Sequence, residues 1–65
     1  MTINTMRIDQ LCAERGLTRT ALAANSGISR QNVSTIVRRG TCNPLTAAKL
    51  AVGLGVPVAD IIREG

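Results

Sequence analysis

The chain has 65 residues, no aromatic side chain, no histidine and a formal net charge of +4. This length predicts one small domain with a thin core and leaves no room for a separate ligand-sensing domain. The lack of aromatic rings argues against single-stranded nucleic-acid binding, which depends on stacking. With no histidine and four scattered acids, no acid–base or nucleophilic constellation can be drawn, so we expect no enzyme.

The positive charge is concentrated in the middle of the chain. No acidic residue lies between Glu14 and Asp60. Six cations lie in that span: Arg15, Arg19, Arg30, Arg38, Arg39 and Lys49. A segment that carries only positive charge favours a polyanionic partner, although an ordinary solvated basic surface would have the same composition.

The two cysteines, Cys12 and Cys42, lie far apart in the sequence and have no histidine to join them. They predict no zinc site, and we expect no metal, cofactor or small-molecule ligand. Unpaired thiols are typical of a reducing cytoplasm, where we place the protein, and no signal-peptide pattern is visible. The apolar stretch from Leu45 to Val58 is interrupted by two glycines and Pro57, so we expect no membrane span.

Caps and apolar spacing predict five short helices and no strand, and three of the helices fall in the first forty residues. The first is predicted at about Met6–Arg15 and stops at Gly16. The second and third follow hydroxyl N-caps, Thr18 and Ser29. Their predicted bounds are about Arg19–Asn25 and about Arg30–Arg38.

Two more helices are predicted in the last third of the chain. Asn43-Pro44 combines an N-cap with a proline at the first helical position, so a fourth helix should run from there to about Leu54. Its inward positions are expected to be Leu45, Ala48, Ala51 and Leu54, or their neighbours. A fifth helix is predicted at about Val58–Arg63, and only Met1–Asn4 and Glu64-Gly65 are expected to fray.

Residues 18–40 have the features of two helices that cross at a tight corner. Ala23 is small enough for the helices to approach closely, and Gly27 can adopt the positive φ that the corner needs. The second of these helices groups polar side chains on the face opposite its apolar residues: Arg30, Gln31, Ser34, Thr35 and Arg38. Such residues can bond to base edges in DNA, although on an isolated helix they would simply be solvated.

This segment resembles the helix-turn-helix of phage repressor and Cro-like regulators, the XRE-type group. The matching stretches are Gly16-Leu17-Thr18, Leu22-Ala23, Gly27-Ile28-Ser29-Arg30, Gly40 through Asn43-Pro44, and Leu54-Gly55-Val56, within about Ile8 to Ile62. The resemblance implies an all-α, five-helix fold of the lambda-repressor type. It also implies one domain over residues 1–65, with the helix-turn-helix at about 18–39 and the third helix in the major groove of an operator.

The resemblance also assigns site residues by position. Base contacts are expected from Arg30, Gln31, Ser34 and Thr35. Phosphate contacts are expected from Thr18, Arg19, Thr20, Arg38, Arg39 and Thr41. The leading hypothesis is therefore a double-stranded DNA-binding transcriptional regulator, a repressor of prophage or mobile-element type. The alternative is a helical protein-interaction module, such as the antitoxin half of a toxin–antitoxin complex.

The chain departs from the family pattern in three ways. Arg19 stands where members commonly have glutamine. Cys12 and Val37 stand where many members pair an arginine with a glutamate, so a buried ion pair is replaced as a unit and Cys12 is expected to contact Val37 in the core. The stretch from Val33 to Gly40 is one residue longer than usual.

The end of the chain has more apolar residues than a short helix can bury. They are either partly exposed core residues or, as the resemblance suggests, a contact within a two-fold homodimer. The residues expected in that dimer contact are Val56, Val58 and Ile62. A monomer that pairs only on DNA is equally open. Cys42, in the loop before the fourth helix, is expected to be structural or incidental.

Overall fold

Residues 1–63 are described by the structure, a computed structural model. Within this range the chain forms four α-helices and a single 3₁₀ turn. They are α1 (Thr5–Arg15), α2 (Arg19–Ser26), α3 (Arg30–Arg39), α4 (Pro44–Leu54) and the 3₁₀ turn Val58–Asp60. The predicted bounds of α4 are reproduced, α1 begins one residue earlier than predicted, and α2 and α3 each end one residue later.

Each α-helix begins at a side chain that accepts a hydrogen bond from its first turn. Thr18 accepts from the Ala21 N–H at 3.0 Å, Ser29 from Asn32 at 3.1 Å, and Asn43 from Thr46 at 2.8 Å. These three caps are as predicted. Asn4 caps α1 in the same way. Local side-chain chemistry therefore fixes where the helices start.

The predicted fifth helix, Val58–Arg63, is wrong. Only one 3₁₀ turn forms, because the backbone beyond it pairs with the start of the chain. The Ile61 carbonyl accepts from the Asn4 N–H at 2.8 Å, and the Arg63 N–H donates to the Thr2 carbonyl at 2.9 Å. Residues 1–63 therefore form four α-helices, and the prediction of five is wrong.

The N-terminal segment does not fray as expected. Ile3 is 2% exposed, and its N–H donates to the Gly40 carbonyl at 2.8 Å. Isolated antiparallel bridges join Thr2 to Thr41 and Ile3 to Ile62. Residues 1–4 thus bind the loop after α3 on one side and residues 61–63 on the other. The predicted fraying of Glu64-Gly65 falls outside the described residues.

The core lies between the helices and takes an inward stripe from each. It consists of Ile3, Ile8, Leu11, Cys12, Leu22, Ala23, Val33, Ile36, Ala47, Leu50, Ala51, Leu54 and Ile61. On α4 the expected Ala51 and Leu54 point inward, whereas Leu45 and Ala48 are exposed. The other inward positions are Ala47, next to Ala48, and Leu50, next to Ala51. The stripe of α4 is therefore rotated by part of a turn from its expected direction.

Cys12 is a core residue, as predicted, with 9% of its surface exposed. Val37 is partly buried and packs against the same core. Both positions are thus filled with apolar side chains, in keeping with a replaced ion pair. Their direct contact stays a prediction. In residues 1–63 no helix has the length and apolar content that a membrane crossing requires.

Helix α2 lies tightly against α4 where Ser26 meets Gly53. A β-carbon at Gly53 would overlap the Ser26 hydroxyl and lie 3.0 Å from the Ser26 backbone nitrogen. The Ser26 hydroxyl is buried and has no hydrogen-bond partner among the described residues. The glycine therefore sets how closely α2 can approach α4.

We expect Gly53→Ala to lower the free energy of unfolding by about 1–3 kcal/mol, because the added methyl overpacks this crossing. At an unconstrained helical site the same change would raise stability by about 0.5–1 kcal/mol. Urea denaturation followed by circular dichroism measures the difference. The double variant Ser26→Ala/Gly53→Ala should recover part of the loss, since the hydroxyl is the nearest obstacle. A more stable Gly53→Ala protein would contradict the close crossing.

Candidate nucleic-acid interface

The helix α3 shows its polar side to solvent. Val33 and Ile36 are 1% and 6% exposed, so they define the inner side of the helix. At about 100° of rotation per residue, the opposite side carries Gln31, Thr35 and Arg38. Gln31 and Arg38 are exposed and Thr35 is half-buried. This outer side of α3 is free of apolar side chains.

The two flanks of α3 hold the remaining polar residues. Arg30 is exposed and Ser34 half-buried on one flank, so all four predicted base-contacting residues lie on the outer side or beside it. Asn32 and Arg39 are exposed on the other flank. Sequence reasoning passed over Asn32. Its spacing of seven residues from Arg39, two helical turns, is the signal that places both on one side.

A cleft of about 310 Å³ opens between α3 and the start of α4. Asn32, Thr35 and Arg39 line it from α3, and Thr41 and Asn43 line it from the loop and the N-cap of α4. The lining residues include one guanidinium and no carboxylate. The first-turn N–H groups of a helix add partial positive charge at its start. The cleft therefore suits an anionic group.

The two neighbouring arginines at the end of α3 diverge. Because α3 continues through Arg39 to its cap Gly40, consecutive side chains are turned by about 100° from each other. Arg38 lies on the outer side with Gln31, whereas Arg39 joins Thr41 at the cleft. The end of α3 thus provides cations in two directions.

The first turn of α2 forms a second polar group. Thr18, Arg19 and Thr20 are all exposed there. The Arg19 guanidinium lies 3.9 Å from the Asp9 carboxylate of α1, and both side chains are at least half exposed. An exposed pair of this kind contributes between about 0 and 1 kcal/mol, so it does not prevent Arg19 from reaching another anion.

None of the acids of the described chain belongs to α2, α3 or α4, and only Asp9 of α1 reaches α2, at Arg19. Asp9 and Glu14 belong to α1, and Asp60 belongs to the 3₁₀ turn. In residues 1–63 no cluster of three or more histidine, cysteine or acidic side chains is placed to hold a metal ion. The surface formed by α2, α3 and the start of α4 therefore offers hydrogen bonds and positive charge to a ligand.

The comparison with protein families agrees with this geometry. Residues 7–63 match the model of the Cro/C1-type helix-turn-helix DNA-binding domain. The chain belongs to that family. Searches of curated proteins and of solved structures gave no significant match. In this Cro/C1-type domain, α2 and α3 are joined by a three-residue corner that begins at Gly27, whose φ is 73°.

The predicted dimer residues differ in how much surface they offer. Val56 and Ile62 are half-buried and pack against the core, and Ile62 is also bridged to Ile3. Val58 is 37% exposed. The neighbouring Ile61 is fully buried. The dimer contact stays a prediction, and most of this apolar surface is already used within the chain.

Both cysteines are free thiols in protected surroundings. Burial raises the pKa of the Cys12 thiol, and the negative charge of Asp9 raises it further. Burial also raises the pKa of the Cys42 thiol, which lines the cleft. The neutral thiol is a poor nucleophile, so both cysteines are held in their less reactive form at neutral pH.

At pH 8 we expect iodoacetamide to alkylate Cys42 several-fold more slowly in the folded protein than in urea, and Cys12 more slowly still. The raised pKa leaves less thiolate in the folded state, so the rate should increase as pH rises toward the pKa. Mass spectrometry of timed samples measures both sites. Equal rates for Cys42 with and without urea would contradict its protection.

Proposed function

We propose that the protein is a sequence-specific regulator that binds double-stranded DNA with α3 in the major groove. The observation that carries this proposal is the outer side of α3, where Gln31 and Arg38 are exposed around Thr35 within a DNA-binding fold. The major groove is wide enough for an α-helix and shows a distinct donor and acceptor pattern at each base pair.

Base reading in this proposal comes from Arg30, Gln31, Ser34 and Thr35. Gln31 can bond in a bidentate manner to adenine, and Arg30 can do the same to guanine. Ser34 and Thr35 accept or donate a single bond, and the Thr35 methyl can contact a thymine methyl. Exposed Gln31 lies in the first turn of α3, the part that enters the groove most deeply in helix-turn-helix proteins.

Affinity in this proposal comes mainly from phosphates held on both sides of α3. One stretch of the DNA backbone is contacted at the start of α2, where helical N–H groups favour anions. The residues assigned to that contact are Thr18, Arg19 and Thr20. At the end of α3, the residues assigned to contact a second stretch of the DNA backbone are Arg38, Arg39 and Thr41. Such contacts fix the position of α3 on the duplex, and base contacts then select the sequence.

We further propose that the regulator is a repressor of prophage or mobile-element type, without enzymatic activity. Its resemblance to the Cro/C1 group supports this role. Repression needs no surface beyond the DNA-contacting one, because a protein bound at an operator blocks access to it. We place the helix-turn-helix at residues 18–39 of one domain, with a two-fold homodimer as the form that would occupy two half-sites.

A protein-interaction module, such as the antitoxin half of a complex, is the second candidate. The exposed Leu45 and Val52 on α4 favour it. A salt titration separates the two functions. Binding to DNA weakens by several logarithmic units per logarithm of salt, whereas docking through apolar side chains is nearly insensitive to salt.

We expect Gln31→Ala to relax base preference at one or two positions of the binding site. Losing a bidentate contact costs about 1–3 kcal/mol of discrimination, while phosphate contacts and their salt dependence remain. Selection from a random duplex library, run in parallel with the unmodified protein, measures this. Gln10→Ala is the matched control, because Gln10 is an exposed glutamine on α1. Unchanged preferences for Gln31→Ala would move base reading to other residues.

We expect Arg39→Gln to weaken binding by a similar factor for every duplex sequence. It should also make the slope of the logarithm of the binding constant against the logarithm of salt shallower by about 1, because one phosphate contact is lost. Fluorescence anisotropy on a labelled duplex at several salt concentrations gives the slope. Arg7→Gln on α1 removes the same charge away from the cleft and should leave the slope unchanged. Equal slopes for both variants would contradict a phosphate at the cleft.

A further inference from the structure

Helix α2 begins with a cation, where helices more often carry an acid. Arg19 is the first residue of α2, and the first turn of this helix contains no acidic residue. The N–H groups at the start of a helix already give it partial positive charge, so a cation there is unfavourable unless an anion lies close by. The charge balance at the start of α2 therefore depends on an anion from elsewhere.

Asp9 of α1 provides that anion from within the chain. One of its carboxylate oxygens lies 3.9 Å from a guanidinium nitrogen of Arg19. The other ion pair of residues 1–63 joins Glu14 to Arg15 within α1. Burial raises the pKa of the Cys12 thiol, the Asp9 carboxylate raises it further, and the Arg19 guanidinium lowers it. The two opposite charges therefore lie together near the same part of α1.

The contact between Asp9 and Arg19 is loose and open to solvent. A separation of 3.9 Å is longer than a hydrogen bond, and the side chains of Asp9 and Arg19 are 59% and 50% exposed. A carboxylate that holds a guanidinium in one direction commonly does so through two parallel hydrogen bonds. Asp9 therefore offsets the charge of Arg19 without fixing the direction of its side chain.

We infer that Asp9 competes with a DNA phosphate for Arg19 and thereby lowers the affinity of the protein for every duplex. The inference rests on the proposed function, in which Arg19 contacts phosphate at the start of α2. In the free protein the guanidinium is paired with the Asp9 carboxylate. In the complex a phosphate takes that place, and the carboxylate is left beside an anion of like charge. The ion pair is thus an autoinhibitory contact within one chain.

The competition is weak and depends on salt. Exposed ion pairs contribute little free energy because water and dissolved ions screen them, so Asp9 lowers the affinity by a small factor and does not block binding. Screening becomes stronger as salt is added, so the effect of Asp9 is greatest at low ionic strength. Phosphate contacts carry no sequence information, so Asp9 changes the affinity and leaves the preferred base sequence as it is.

Fluorescence anisotropy on a labelled duplex at several salt concentrations tests the competition. We expect Asp9→Asn to bind about two- to fivefold more tightly than the unmodified chain at low salt, and the two affinities to converge as salt is added. In the Arg19→Gln background the same change should have much less effect, because the group that Asp9 competes for is gone. An Asp9→Asn protein that binds equally or more weakly would overturn the inference, as would an equal gain in the Arg19→Gln background.

The chain contains a matched control for the loss of one negative charge. Glu14 is also an exposed acid on α1 and also lies 3.9 Å from an arginine, Arg15. Glu14→Gln should therefore change the affinity much less than Asp9→Asn, and an equal gain would overturn the inference. Selection from a random duplex library should give the same base preference for Asp9→Asn and the unmodified chain. A changed preference would contradict an effect on affinity alone.

A failure of this inference can be distinguished from a failure of the proposed function. If the unmodified chain binds no duplex, both are wrong; if it binds but Asp9→Asn does not strengthen binding, only the inference is wrong. The ion pair itself is tested without DNA by urea denaturation of Asp9→Asn, Arg19→Gln and the double variant. We expect the shifts in the urea midpoint to be non-additive at low salt and additive at about 1 M salt. Additive shifts at low salt would overturn the inference.

Discussion

The crossing of α2 over α4 holds α3, the helix that we propose contacts DNA, in place. Leu22 on α2 is fully buried, and Ser26 lies directly against Gly53 of α4. Helix α3 follows α2 after a corner of only three residues, so its direction depends on how deeply α2 is seated. The buried Ser26 hydroxyl has no partner among the described residues, which costs stability at the same place. A small residue on α4 is therefore needed for α3 to point outward.

The loop after α3 is fixed from a distant part of the chain. Gly40 accepts a hydrogen bond from Ile3, and Thr41 is bridged to Thr2. This loop contributes Thr41 and Asn43 to the cleft beside Arg39. The phosphate-binding geometry that we propose thus depends on α3 and α4 and also on the first residues of the chain, which lie on the far side of the loop.

The parts of this fold that depend on neighbouring residues could be predicted from the sequence. The hydroxyl and amide caps Thr18, Ser29 and Asn43 predicted where α2, α3 and α4 begin. Gly27 indicated the corner between α2 and α3. The predictions of a fifth helix and of a fraying N-terminal segment were wrong, because backbone pairing between residues some sixty positions apart leaves no periodic pattern in the sequence. On the predicted interface, the exposure of Gln31 and Arg38 could be predicted from helical spacing. Asn32 was missed because the cleft that it lines is completed by a separate helix, α4.

The hydrogen bond from the Arg63 N–H to the Thr2 carbonyl brings the two ends of the described segment together. Because residues at opposite ends of the sequence are backbone neighbours, a short peptide linker could join them without moving a helix. New ends could then be opened at the exposed turn around Gly16, between α1 and α2. In such a rearranged molecule the segment that now begins the chain would become an internal connection, and α3 would keep its supports.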